Sequence, residues 1–190
     1  MVDSLALKRF ALLGMHSGAA VSIAYAVKYP QRVSKLVLYG GYAQGHQHRD
    51  LSRDADWAKA MAVLLGSSQE HPVFIRAFSS LWLPRGTPEQ VQWFVDLARV
   101  SHSSESQVKF AMAVRNIDVT DLLPMVRTPT IVFHCIHDHL IPFSQGRLLA
   151  CSIPKATLVA LDSENHILLS SERAWKKMIE ETETFLADQD

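Results

Sequence analysis

One stretch restricts the fold of this chain more than any other. Arg9-Phe-Ala-Leu-Leu-Gly-Met15 is a nearly continuous apolar run with charge before it, and beyond it small and apolar residues recur at helical spacing (Ala20, Val21, Ala24, Val27) until Pro30. Such a run suits a central strand buried on both faces, and the change of period marks a helix from Ala19 to Tyr29 packed on the same sheet. Gly14 and Gly18 bracket the junction, so the chain can turn sharply and cross close to its neighbours there. Lys35-Leu-Val-Leu-Tyr39, closed by Gly40-Gly41, reads as the next strand. Strand, helix and strand in this order predict parallel pairing.

From Tyr42 to Val126 the strand pattern disappears. Apolar residues recur at helical spacing through Trp57 to Leu65, Val73 to Leu83, Pro88 to Val100 and Ser106 to Val114, predicting four helices. Thr87-Pro88-Glu89-Gln90 gives the third of them a clear start, with Thr as N-cap and Pro in the first turn. Strand runs resume at Thr130 to Ile136 and Thr157 to Leu161, with a helix at Ser144 to Ala150 between them and a last amphipathic helix over Glu172 to Ala187. The expected architecture is one α/β domain over residues 1–190, with a parallel sheet of about four strands and a helical lid at about 44–126.

Composition removes several classes of function. The 190 residues are 48% apolar and carry 19 Lys+Arg against 19 Asp+Glu, with no run of like charge, so neither nucleic acid nor an anionic membrane is an expected partner. Apolar stretches stop well short of the roughly 18 residues that span a bilayer, and Asp3 stands where a signal peptide would be basic, so the cytoplasm is the expected location. Cys135 and Cys151 fall in predicted core segments and read as packing thiols.

Three motifs carry chemistry. Leu12-Leu13-Gly14-Met15-His16-Ser17-Gly18-Ala19-Ala20 has the outline of a G-x-S-x-G strand-to-helix turn, with His16 in the middle position and Ser17 one place late. His137-Asp138-His139-Leu140-Ile141-Pro142 is an acidic turn after one strand, and Ser163-Glu164-Asn165-His166 follows the next. In these motifs, and in the Ala-Tyr-Ala-Val-Lys-Tyr-Pro-Gln-Arg-Val-Ser-Lys-Leu-Val-Leu that follows the elbow, the chain resembles the α/β-hydrolase superfamily over nearly its whole length. More narrowly, it is similar to esterase- and enol-lactonase-like domains, including those fused to LuxR-type regulators or nucleotide cyclases. The resemblance implies the order nucleophile, acid, base, with His16 or Ser17 at the nucleophile position, Asp138 as the acid and His166 as the base. It implies a small apolar ester, lactone or ligand as partner, and no cofactor.

Two departures from that pattern shape the expected function. Imidazole cannot repeat serine acyl chemistry with the same geometry, so ordinary triad activity is not expected. The family has about four more strands before its elbow, together with a loop that completes the oxyanion hole, and here about eight residues precede the first strand. The expectation is therefore a truncated, catalytically impaired hydrolase-like protein; a non-catalytic ligand-binding or regulatory module and a fragment of a longer hydrolase domain are the alternatives. The first strand would then have a bare edge, which predicts a homo-oligomer or a partner at that edge.

Smaller features leave alternatives open. Ser17 reads as a displaced nucleophile or as a cap or first-turn residue bonding backbone N–H groups, and His16 as a base, a contact for an acidic ligand group, or a polar filler facing His166. His134, His137 and His139 around Asp138 have ligand chemistry, but the first belongs to a strand and the others to a turn, which argues against a metal. Of the aromatic residues Trp57, Phe74, Phe78, Trp82, Trp93 and Phe94, most read as core, with one or two expected to face a ligand.

Overall fold

The computed structural model describes residues 2–49, 72–101 and 103–188. Four strands, β1 (Phe10–Met15), β2 (Val33–Tyr39), β3 (Thr130–Cys135) and β4 (Thr157–Leu161), form a sheet in the order β1-β2-β3-β4 with every pair parallel. Helix α1 (Ser17–Lys28) connects β1 to β2, α5 (Phe143–Ser152) connects β3 to β4, and α6 (Arg173–Ala187) follows β4. Between β2 and β3 lie α2 (Pro72–Trp82), α3 (Pro88–Ser101) and α4 (Ser104–Arg115). The expected helix at Trp57 to Leu65 lies outside the described residues. Thr87 and Gln90 form a reciprocal cap at the start of α3: the Thr87 N–H donates to Gln90 Oε1 at 2.8 Å and the Gln90 N–H to Thr87 Oγ1 at 3.3 Å.

The sheet has a core on each face. On one side Ala19, Ile23 and Ala26 of α1 and Leu149 of α5 pack against Leu36, Leu38 and Val132. On the other, Val37, Ile131, Phe133 and Val159 pack with Ala174, Trp175 and Met178 of α6. That second layer leaves part of β1 uncovered: the bare edge expected for this strand is present, and the expected burial on both faces is not. β1 is not buried on both faces: it is an edge of the described sheet, and Ala11 and Leu13 look outward, Leu13 being 60% exposed. Composition cannot reveal this, because a strand built for burial reads the same whether or not its covering layer is in place.

Two further expectations change. Cys151 is exposed, whereas Cys135 is buried; Leu149 points into the core from α5, and a residue two positions on is rotated about 200° around the helix. Gly14 does permit a close crossing, since a Cβ there would lie 2.6 Å from Ser22 Oγ and 2.8 Å from Ala19 Cα; a Cβ at Gly18 would meet nothing within 4 Å.

Candidate active site

Parallel strands bring their carboxyl ends to one rim, and the site is built from the turns that leave them. His16 follows β1, Gly40 follows β2, Asp138 follows β3 and His166 follows β4. His16 has φ 53° and ψ −125°, a left-handed conformation that costs about 1 to 3 kcal/mol for a residue with a Cβ. Between the two candidates for the nucleophile position, the strained one is His16. Ser17 is the first residue of α1. His16 caps the helix without a side-chain hydrogen bond to it.

Asp138 and His166 are joined. His166 Nδ1 donates to Asp138 Oδ2 at 2.6 Å, while Asp138 Oδ1 accepts the backbone N–H groups of Leu140 at 2.8 Å and Ile141 at 3.0 Å. Burial alone would raise the Asp138 pKa, but the His166 bond and these backbone donors hold it below the usual carboxylate value. With Nδ1 committed to the carboxylate, His166 presents Nε2 as its proton acceptor. The His166 backbone is held as firmly: its N–H donates to Trp82 O at 3.0 Å and its carbonyl accepts from the Tyr39 hydroxyl at 2.5 Å. Gly40, at φ 53°, makes room for the ring, because a Cβ there would lie 2.9 Å from His166 Cε1.

Glu172 organises the loop that carries His166, accepting from Ser163 Oγ at 2.5 Å, Asn165 Nδ2 at 3.0 Å and the Leu169 N–H at 2.6 Å. No pattern in the sequence signals this role, since Glu172 reads simply as an acid beside the last helix. Of Phe78, Trp82, Trp93 and Phe94, Trp82 is the one that reaches the two imidazoles. Its ring centroid lies 4.9 Å from that of His16 and 5.0 Å from that of His166, and the two imidazoles are 5.0 Å apart at 84°. Phe78 and Phe94 back Trp82, and Trp93 is exposed. Trp57 lies outside the described residues.

Burial first, then the facing His166, pushes the His16 pKa down to about 3, so His16 is neutral at ordinary pH. His16 Nδ1, His166 Nε2 and Trp82 Nε1 are buried without a hydrogen-bond partner among the described residues. His134 is buried, while His137 and His139 are exposed, so the three do not converge; among the described residues no group of three or more His, Cys, Asp and Glu side chains is placed to hold a metal. A polar cleft of about 400 Å³, lined by Arg85, Gln90, His137, Asp162, Glu164 and Glu172 among others, includes none of His16, Asp138 and His166.

The fold has counterparts in known proteins. An esterase from Exiguobacterium antarcticum superposes with a TM-score of 0.82 at 23% identity, covering 98% of this chain and 70% of that one. In sequence, the AB hydrolase superfamily protein YisY of Bacillus subtilis is 25% identical over 182 residues, covering 87% of this chain and 63% of its own length. The chain has the fold of the α/β hydrolases and is similar to them in sequence over most of its length. A pyrrolizixenacetamide deacetylase from Xenorhabdus hominickii is 25% identical over 138 residues, 73% of this chain and 52% of that protein. No family model matches. The chain spans between about half and two thirds of the length of these curated α/β-hydrolase relatives. Among the described residues, no helix is long and apolar enough to cross a membrane.

Proposed function

We propose that this chain of α/β-hydrolase fold carries a small-molecule site of serine-hydrolase ancestry in which the acid–base pair Asp138–His166 is retained and the acyl-accepting hydroxyl is replaced by His16. The observation that carries this reading is the backbone of His16, strained at φ 53° with its ring against His166. A neutral imidazole whose pKa is pushed down to about 3 is a weak nucleophile, so serine-type turnover of small apolar esters or lactones is severely reduced. His166 can still take a proton from water at the site.

Fluorophosphonate labelling followed by mass spectrometry tests this. We expect no adduct on Ser17 in the parent protein; a Ser17 adduct abolished by His166→Ala would replace this reading with a working displaced triad. Conversely, His16→Ser returns a hydroxyl to the strained position and is expected to raise hydrolysis of a p-nitrophenyl ester above the parent level.

A second reading, a ligand-binding module, draws on the three buried nitrogens of His16, His166 and Trp82. Buried polar atoms left unbonded cost about 1 to 3 kcal/mol each; a ligand hydroxyl could donate to His166 Nε2 and accept from Trp82 Nε1, which would relieve that cost. Such a protein would bind small acids or esters without turning them over. For either reading we propose the cytoplasm as the setting and self-association through the bare β1 edge; light scattering that shows a monodisperse monomer at micromolar concentration would exclude the latter.

A further inference from the structure

His134 is the one fully buried imidazole of β3, and the reading above gives it no task. Its position is costly. It is 0% exposed, burial drives its pKa down so that it stays neutral, and an apolar side chain would fill the same space without a polar atom to satisfy. The fold also makes room for the ring: a Cβ at Gly146 of α5 would stand 2.7 Å from His134 Cβ, Cγ and Nδ1.

The polar end of the ring faces the acid turn. His134 Nε2 lies 3.0 Å from Ile141 O, and a carbonyl can only accept, so Nε2 carries the proton. The same nitrogen is 3.9 Å from Asp138 Oδ2, the oxygen that holds His166. Ile141 is itself tied to Asp138, since its N–H donates to Oδ1 at 3.0 Å. His134 thus fastens the far end of the Asp138 turn to the strand the turn has just left. If the turn slips, Oδ2 moves relative to His166 Nδ1.

We propose that His134 is a positioning residue, which sets the Asp138–His166 hydrogen bond by donating from Nε2 to the Ile141 carbonyl. Being neutral, it does so without placing a cation beside Asp138. The proposal rests on Asp138 and His166 forming the acid–base pair of the site.

The test is the far-downfield proton resonance of a carboxylate-bound imidazole, read by NMR on the whole chain and assigned by its loss in His166→Ala and Asp138→Asn. His134→Leu is expected to shift that resonance upfield or abolish it. His134→Gln, whose amide nitrogen reaches the place of Nε2, is expected to restore it, and His134→Asn, whose amide matches Nδ1 instead, is expected to fail. The Gln and Asn variants carry the comparison even if the Leu variant does not fold. A resonance unmoved in a folded Leu or Asn variant would show that His134 only fills space and would overturn the proposal. Absence of the resonance from the parent protein would instead sink the acid–base pair, and this proposal with it.

Discussion

β3 and β1 are six-residue apolar strands of one sheet, yet all six residues of β3 are buried and only Gly14 of β1 is. β3 lies between two strands and between two helical layers, α1 and α5 on one side and α6 on the other. β1 has one neighbouring strand, and Leu13 looks outward. The two strands supply different parts of the site. The turn after β3 holds Asp138 by hydrogen bonds to its own backbone and to His166, whereas the turn after β1 holds His16 in a strained conformation against aromatic rings. Asp138 and His166 are therefore set in the better-packed part of the sheet, and His16 stands at its edge.

The contrast can be broken by experiment. Phe133→Ala removes a fully buried ring from β3 and is expected to cost about 3 to 5 kcal/mol in urea unfolding. Asp138→Ala leaves the His166 N–H and two backbone donors without an acceptor, and about 3 kcal/mol is expected by the same measurement. A loss below 1 kcal/mol in either would mean that the β3 region is looser than its packing implies.

Acid should weaken the β1 side first. His16 has a pKa near 3 when folded against 6.5 when unfolded, so between these values the unfolded chain binds more protons and stability falls as the pH drops. At pH 5 the loss from His16 is on the order of 2 kcal/mol, roughly 4 to 8 °C in Tm, and His16→Leu should flatten that slope. His134, also lowered, acts in the same direction. Asp138 does not add to this window: its contribution holds above about 3.8 and is lost only as pH falls further. The smallest effect belongs to Leu13→Ala, expected within about 0.5 kcal/mol because the side chain is 60% exposed. A loss above 2 kcal/mol, or a change in sedimentation, would show that this face is covered in solution.

Much of this was legible without coordinates. Apolar runs of strand length alternating with 3.6-period segments gave the parallel order, and Thr87, Pro88 and Gln90 marked the start of α3 because capping is local. The elbow, Asp138 and His166 could be found because their motifs resemble those of the α/β-hydrolases; each comes after a strand, and in a parallel sheet those ends share one rim. Glu172 could not be found, because its three bonds depend on a loop folding back over it. Nor could the outward turn of Cys151, since burial depends on what packs alongside.

The sequence by itself determined the order of the elements and the positions of His16, Asp138 and His166, because period and turn residues act over a few neighbours. Only the tertiary structure decided that His16 takes the strained backbone, that Trp82 closes on both imidazoles and that His134 bonds the Ile141 carbonyl. Those facts are settled by distances between residues remote in the chain, or by the strain that sheet and helix together impose on one peptide, and local patterning records neither.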